Sequence, residues 1–293
     1  MSKKAAWTAF PYVDGGFDFD YAGTALKQHW GTLHRGDREP YPSAQHLAKL
    51  CKADGPLAES VARFHGDYAA VSEKVLEAWR RYHLGQFQQA AQLGLELGPL
   101  GYAVANKATA IYANYLEPSQ ATKLRLFEEV AARAEEAMAA LPEQPNSHYL
   151  YAYALGRHSQ GVSVLEALAQ GIGSKIRDAL QRTLELEPEH AEAHTALGTY
   201  HAEILDKVGG ILGGLTYGAS KDDAVRHYRK ALELHPRSAI ARIEYADGLM
   251  MMYGKSRLDE ATKLVVEASK LEPRDAMERL DVELAKTRLE EEA

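Results

Sequence analysis

Short leucine-rich segments that end in proline recur along the chain, and they constrain its fold more than any other feature. The segments AALP, LELEP, LELHP and KLEP end at Pro142, Pro188, Pro236 and Pro273. A proline interrupts a helix interior and disfavours the helical conformation of the residue before it. Each segment is therefore predicted to close an amphipathic helix.

Small residues upstream of the last two prolines share one register. Tyr228, Ala231 and Pro236 follow Ala224 by 4, 7 and 12 residues, and Val265, Ala268 and Pro273 follow Ala261 by the same numbers of residues. These offsets place the three side chains on one face of a helix. The alanines are predicted to let two helices approach closely while one larger residue fills the gap between them.

The distance between these prolines is not constant. The four prolines stand 46, 48 and 37 residues apart, whereas the repeat with this pattern, A-x3-F…P, has a period of about 34 residues. The residues in excess of this period lie between the first and second helix of each pair, in the ranges Ser159 to Lys175, Lys207 to Lys221 and Met251 to Arg257. Two neighbouring repeats are thus predicted to carry long insertions at the same structural place.

Further helical pairs are indicated on either side of this region. Ala78, Tyr82, Gly85, Phe87 and Ala90 indicate a helix, a glycine turn and a second helix, and the next pair begins at Tyr102 to Leu116. Ala276 to Leu289 is predicted to be a final helix with a polar end, as the last repeat of such an array requires for solubility. Short helices are expected at Tyr21 to Leu33 and, capped by Ser43, at Ala44 to Ala53.

The stretch GSKIRDALQRTLELEPEHAEAHTALG and its continuation to Pro236 resemble a known group of proteins. They are similar to bacterial tetratricopeptide-repeat proteins related to the T component associated with TRAP transporters and, more distantly, to the eukaryotic regulators of microtubule dynamics. The resemblance covers about residues 70–273. It implies a helical fold and a binding role without a catalytic centre.

The sequence therefore predicts an all-α fold, a tetratricopeptide-like helical-hairpin solenoid with long intra-repeat insertions. Residues 1–69 are interpreted as an aromatic-rich extension packed on the array. Residues 70–273 are interpreted as the repeats, about five helical pairs, and residues 274–293 as a capping helix.

Composition excludes several classes of function. The net charge is −7 and no stretch gathers lysine and arginine, so nucleic acid is not an expected partner. Cys51 is the single cysteine, which rules out an intramolecular disulfide and favours a reducing compartment. No apolar stretch follows the first residues and no apolar run reaches the length of a membrane span. We expect a cytoplasmic protein without a membrane span.

Two motifs invite more specific chemistry. His190, His194 and His201 have a spacing compatible with a metal on one helix face, but two of them occupy repeat positions 4 and 11, where packing residues belong. We therefore favour core packing over a zinc site. The run Gly209 to Ser220 has the glycine spacing of a phosphate loop, but Ala219 stands where the lysine is needed. The tripeptide Arg35-Gly36-Asp37 resembles an adhesion motif and is interpreted as chance.

The two insertions are glycine-rich and apolar, and their apolar side chains are expected to need burial. In one they are Ile211, Leu212, Leu215 and Tyr217; in the other they are Val162, Val164, Leu165, Leu168 and Ile172. One hypothesis is that the insertions lie side by side and line a pocket. The alternative is that they bury each other as additional core.

The function most consistent with these patterns is a non-enzymatic scaffold that binds a protein or peptide on its concave face, since stacked repeats form such faces. The alternative is a carrier of a small or apolar ligand in a pocket between the insertions. No catalytic residue, cofactor or metal ligand is predicted, and the sequence leaves the oligomeric state open. The candidate binding residues are Ile172, Lys175, His201, Leu212, Leu215, Thr216 and Tyr217.

Overall fold

The computed structural model describes residues 6–12, 19–51 and 55–291, which form sixteen α-helices and no strand. The fold class is all-α, as predicted. The chain divides into two compact units, Met1–Gly31 with Glu39–Gly161 and Thr32–Arg38 with Val162–Ala293. The predicted boundaries after residues 69 and 273 concern the sequence repeats and stay a prediction.

The first eight helices precede the first insertion. They are α1 (Ala25–Leu33), α2 (Ala44–Cys51), α3 (Gly55–Ala62), α4 (Tyr68–His83), α5 (Phe87–Glu96), α6 (Tyr102–Tyr115), α7 (Gln120–Ala140) and α8 (Pro145–Ser159). A short 3-10 turn, Gly98–Gly101, joins α5 to α6. Within this unit, α4 packs against α5, α5 against α6, α6 against α7, and α7 against α8. This succession of antiparallel neighbours is the predicted hairpin repeat.

The second unit contains the remaining helices. They are α9 (Val164–Ala169), α10 (Ile172–Leu186), α11 (Ala191–Val208), α12 (Gly210–Tyr217), α13 (Lys221–Leu234), α14 (Ala239–Tyr253), α15 (Leu258–Ser269) and α16 (Ala276–Glu291). α11 packs against α13, and α14 packs against α11, α13 and α15. The short helices α9 and α12 lie inside the two predicted insertions. The third and shortest inserted range, Met251 to Arg257, contains the 3-10 turn Gly254–Arg257.

Serine and proline define the ends of these helices. Ser119, Ser163, Ser220 and Ser238 each accept a hydrogen bond from a backbone N–H of the first turn of the helix that follows, which satisfies an amide that the helix leaves unpaired. α7, α10 and α13 end two residues before their prolines, and α15 ends four residues before Pro273. The predicted proline stops are confirmed.

Tyr228 is the centre of the core of the second unit. Its side chain is fully buried and its ring stacks on Tyr245 with centroids 5.0 Å apart. Gly198 of α11 and Gly248 of α14 face this ring so closely that an added Cβ would lie 2.8 and 2.7 Å from its carbons. The predicted small residues Ala224 and Ala231 are also buried. The expected close approach of helices around one large side chain is confirmed.

This packing predicts opposite effects for two Gly→Ala substitutions inside helices. Gly248→Ala should lower the free energy of unfolding by about 1–3 kcal/mol, because overpacking against Tyr228 outweighs the better helix propensity of alanine. Gly156→Ala in α8 is the control, since no heavy atom lies within 4 Å of its added Cβ. It should stabilise by about 0.5–1 kcal/mol. Urea unfolding of both variants measures the difference, and a shift of the same sign in both would contradict this packing.

The aromatic N-terminal segment lies on the first hairpins of the first unit. The ring of Trp7 stacks on that of Tyr112 with centroids 4.2 Å apart and an interplanar angle of 11°. Phe10 contacts Phe87 edge to face and covers Gly85, whose φ of 80° requires glycine. These contacts bury apolar rings that would otherwise face water.

Residues 32–38 have a structural role that the sequence did not reveal. The backbone N–H of Glu192, in the first turn of α11, donates to the carbonyl of Gly36 at 3.0 Å, and the Arg35 guanidinium donates to the carbonyl of Leu234 at 2.9 Å. Asp37 is buried and pairs with His34 at 3.0 Å. All three residues of the adhesion-like tripeptide therefore stabilise the second unit.

Candidate functional site

The second insertion places a short glycine-rich helix on the surface of the second unit. α12 begins after Gly209, whose φ is 87°, and ends at Gly218 in the left-handed conformation. Three of its eight residues are glycine. Its buried residue, Gly213, faces the side chain of Ile204 on α11, from which an added Cβ would lie 3.1 Å away. α12 therefore contacts the protein through its glycine face.

The apolar side chains of α12 consequently point into solvent. Ile211 is 80% exposed, Leu212 60% and Leu215 84%. Such exposure of three large aliphatic residues within one short helix is uncommon for a surface that remains in water.

The first insertion has the same character. Helix α9 is capped by Ser163, whose hydroxyl accepts from the N–H of Glu166, and it lies against α10. Val164, Leu165 and Leu168 are exposed, Leu165 to 80%. We call the exposed side chains of the two insertion helices the apolar insertion residues; they are Val164, Leu165, Leu168, Ile211, Leu212 and Leu215.

The expectation that these side chains need burial is wrong for the apolar insertion residues. A helix of six or eight residues buries only one narrow face. In α12 that face is glycine, so the aliphatic side chains are left outside. The alternative that the insertions bury each other as core is wrong for the same residues. Ile172 does enter the core, because it begins α10, a full repeat helix.

The structure distributes the candidate binding residues over surface and interior. Leu212, Leu215, Thr216 and Lys175 are exposed, whereas Ile172 and His201 are buried. Tyr217 is half-buried, and its ring lies against Gly173, where an added Cβ would be 3.1 Å from Cε1. Its carbonyl accepts a hydrogen bond from the hydroxyl of Tyr200 at 3.2 Å. Tyr217 thus joins the second insertion to the start of α10. The role of all seven as binding residues stays a prediction.

Three histidines lie together between α11 and α13. The Nδ1 atoms of His194 and His227 are 2.9 Å apart, and the rings of His201 and His227 are stacked with centroids 5.9 Å apart at 18°. His194 Nε2 donates to the carbonyl of Pro188 at 3.2 Å. His201 Nδ1 accepts from the backbone N–H of Ser220 at 3.4 Å. We call His194, His201 and His227 the histidine cluster.

The surroundings favour the neutral form of every ring in the histidine cluster. Burial lowers the pKa of His194, with further lowering by Lys230 and Arg226, while its hydrogen bond to Pro188 opposes the shift. Burial also lowers the pKa of His201. Burial, followed by the repulsion of its two neighbours, lowers the pKa of His227 to about 4.

The residues considered for a zinc site and for a phosphate loop have other roles in the structure. His190 caps α11 by accepting the N–H of Ala193 at 3.0 Å, and the rings of the histidine cluster are stacked or tilted side by side. Within residues 6–12, 19–51 and 55–291, no group of three or more His, Cys, Asp or Glu side chains is placed to hold a metal ion. The glycine run is helix α12 between two left-handed turns rather than a phosphate loop.

A cavity of about 560 Å³ runs along the outer face of α13 to Tyr253. Its lining combines basic and acidic side chains, Arg226, Arg229, Lys230, Arg257, Asp222 and Glu233. Arg226 pairs with Asp223 and Lys230 with Glu233, each at 2.7 Å. These pairs offset much of the positive charge, so the cavity has little preference for an anion. None of the candidate binding residues lines it.

In the part of the chain that the structure describes, no helix is both long and apolar enough to cross a lipid bilayer.

Comparison with known proteins assigns the family. The family model described as "Regulator of microtubule dynamics protein 1-3" matches residues 102–291, which is more than half of the 293 residues. The chain belongs to this family. The regulators of microtubule dynamics were the more distant of the two groups that the sequence resembled. The matched range runs from α6 to α16 and contains both insertions.

The comparison with solved structures agrees with the fold assignment. The crystal structure of a thermophilic TPR protein from Thermus thermophilus is similar to the chain with a TM-score of 0.53 and 17% sequence identity. The similarity covers 73% of this chain and 98% of the other. At this identity it shows a shared tetratricopeptide-type fold alone. No curated protein matches the chain.

Sequence reasoning missed one member of the histidine cluster. His194 and His201 share a helix face at a spacing of seven residues, which the sequence shows. His227 lies on α13, which is separated from α11 in the sequence by the inserted helix α12. The pairing becomes visible only after α11 and α13 are aligned as the two helices of one repeat.

Proposed function

We propose that this chain is a non-enzymatic tetratricopeptide-type scaffold that binds a protein partner. The observation that supports this proposal is the exposure of the apolar insertion residues on α9 and α12. Exposed aliphatic clusters of this kind mark interaction surfaces, and repeat folds present such surfaces on rigid helical pairs. A protein partner also agrees with the name of the family, since microtubules are protein polymers.

The place of binding is part of the proposal. The sequence favours the concave face of the repeats, whereas the apolar insertion residues favour the ends of the hairpins where α9 and α12 are inserted. We propose that the insertion helices supply the apolar centre of the interface. Apolar side chains contribute most where they are fully desolvated and surrounded by polar contacts.

The second candidate is a carrier of a small apolar ligand in the manner implied by the resemblance to the T component. One observation favours it: the ring of Tyr217 lies against Gly173, so the second insertion contacts the start of α10 beside the first. The exposure of Leu212 and Leu215 speaks for a protein surface instead, because a carrier's apolar residues enclose their ligand. A cytoplasmic location, in keeping with the single cysteine, is also proposed.

Native mass spectrometry of protein purified gently from its own cells tests these candidates. The scaffold predicts a co-purifying polypeptide that is lost when Leu212 and Leu215 are both changed to serine. The carrier predicts a bound small mass that disappears on denaturation and is reduced by Tyr217→Ala. A bound small mass without any co-purifying polypeptide would reject the scaffold proposal. Unchanged polypeptide binding in the double variant would reject the insertion helices as its binding surface.

A further inference from the structure

The hydrogen bonds of the histidine cluster restrict which ring nitrogens can carry a hydrogen. The carbonyl of Pro188 can only accept, so His194 Nε2 carries a hydrogen. In a neutral ring His194 Nδ1 is then an acceptor, and it must receive the hydrogen of His227 Nδ1 across 2.9 Å. His201 Nδ1 accepts the N–H of Ser220 and therefore carries no hydrogen. The observed contacts require that His201 Nδ1 carries no hydrogen and that only one of the two facing Nδ1 atoms of His194 and His227 carries one.

Two of these bonds hold the inserted segment in place. Ser220 is the N-cap of α13 and follows α12 by three residues, so its bond to His201 fixes the junction of the insertion with α13. The bond between His194 and His227 ties the middle of α13 to α11. Protonation of His201 would place its Nδ1–H against the N–H of Ser220 and break that bond. The bond between His194 and His227 survives one added proton but not two, because two would place two N–H donors face to face.

Charged groups around the histidine cluster come mainly from α13. The carboxylate of Asp223 raises the pKa of His201 and His227, and that of Glu233 raises the pKa of His194. Arg226 lowers the pKa of all three rings, and Lys230 lowers that of His194. The neighbouring helices face the cluster indirectly: Arg177 and Asp178 of α10 act on Tyr200, whose ring contacts His201, and Glu244 of α14 accepts from Thr199.

We propose that the histidine cluster is an acid-sensitive latch that holds α12 and the start of α13 against α11 at neutral pH and releases them in mildly acidic solution. The direction follows from the lowered pKa values. The closed state binds fewer protons than the open state, so its stability is full above the ordinary histidine pKa of 6.5 and is lost as the pH falls toward about 4.

Segment-resolved hydrogen exchange at pH 7.5 and pH 5.0, corrected for the chemical exchange rate, tests the latch. The open population of residues 210–224 should rise about 30-fold at pH 5.0, as expected for one histidine whose pKa falls from 6.5 to about 4 on closure. The amides of α15 should not follow this change. Equal protection of residues 210–224 at the two pH values would overturn the proposal.

Two variants separate the latch from a general effect of acid. His227→Asn removes the central titrating ring but keeps a donor toward His194, and it should reduce the pH response several-fold. His148→Asn is the matched control, because His148 donates to the carbonyl of Pro142 at the equivalent place in α8 but lies outside the cluster. It should leave the response intact. A His227→Asn response equal to that of the wild type would contradict the latch.

Titration of the twelve histidine rings of the wild-type protein by NMR gives a readout that needs no variant. At least three rings should titrate with midpoints clearly below 6.5. If every ring had a midpoint near 6.5, the latch would be rejected.

Discussion

Replacing Tyr228 by alanine is expected to lower the free energy of unfolding of the second unit by about 3–5 kcal/mol, the range for a fully buried aromatic residue. The side chain is completely buried between Gly198 and Gly248. Because Gly198 and Gly248 have no side chains, neither can extend into the space that the ring leaves. The cavity would therefore remain largely open, and its cost adds to the lost burial.

Native-state hydrogen exchange of α11, α13 and α14 measures this loss, since it reports the opening of this unit separately from that of the whole chain. Tyr228→Phe is the control. It keeps the ring and removes the hydroxyl, which donates to Thr199 Oγ1 at 3.1 Å. The expected loss is about 1 kcal/mol. Equal losses in the two variants would show that the ring does not fill the space between Gly198 and Gly248.

The second large effect is expected on binding rather than on stability. Changing Leu212 and Leu215 together to serine should weaken partner binding by about 30-fold or more, because apolar residues at the centre of an interface contribute about 2 kcal/mol or more. The melting temperature should stay almost unchanged, since both side chains are already in solvent and substitutions at such positions cost little.

A matched control distinguishes a specific binding surface from nonspecific hydrophobic association. Leu258 at the start of α15 is another exposed leucine of the same unit, 42% accessible, and lies outside both insertions. Leu258→Ser should leave binding unchanged. If this substitution weakens binding as much as the double variant does, the insertion helices are not the binding surface.

The repeat fold could be predicted from sequence because its determinants are local. Proline stops a helix wherever it occurs, and the register Ala224, Tyr228, Ala231 specifies one helical face without reference to the rest of the chain. The predicted helix from Ala44 to Ala53, capped by Ser43, is observed as Ala44–Cys51, and the hydroxyl of Ser43 accepts from the N–H of His46. The sequence Asp14-Gly15-Gly16 also favours a turn, and these residues lie outside the part of the chain that the structure describes.

The candidate site was harder to predict from sequence, because it depends on which face of a short helix contacts the rest of the protein. Apolar residues in the sequence of α12 suggest burial, but glycine occupies the contact face and leaves the aliphatic side chains outside. The number of apolar residues in a helix does not show whether its apolar face or its glycine face contacts the protein. The contact of Gly36 with Glu192 likewise joins residues distant in sequence, and no local pattern indicates it.

The most direct test of the account compares hydrogen exchange of the free chain with that of the chain bound to its co-purified partner. The proposal predicts that the amides of α9 and α12 gain protection on binding, with smaller changes in α10 and α11 beneath them. Protection confined to other helices, with α9 and α12 unchanged, would contradict the claim that the two insertions form the partner-binding surface.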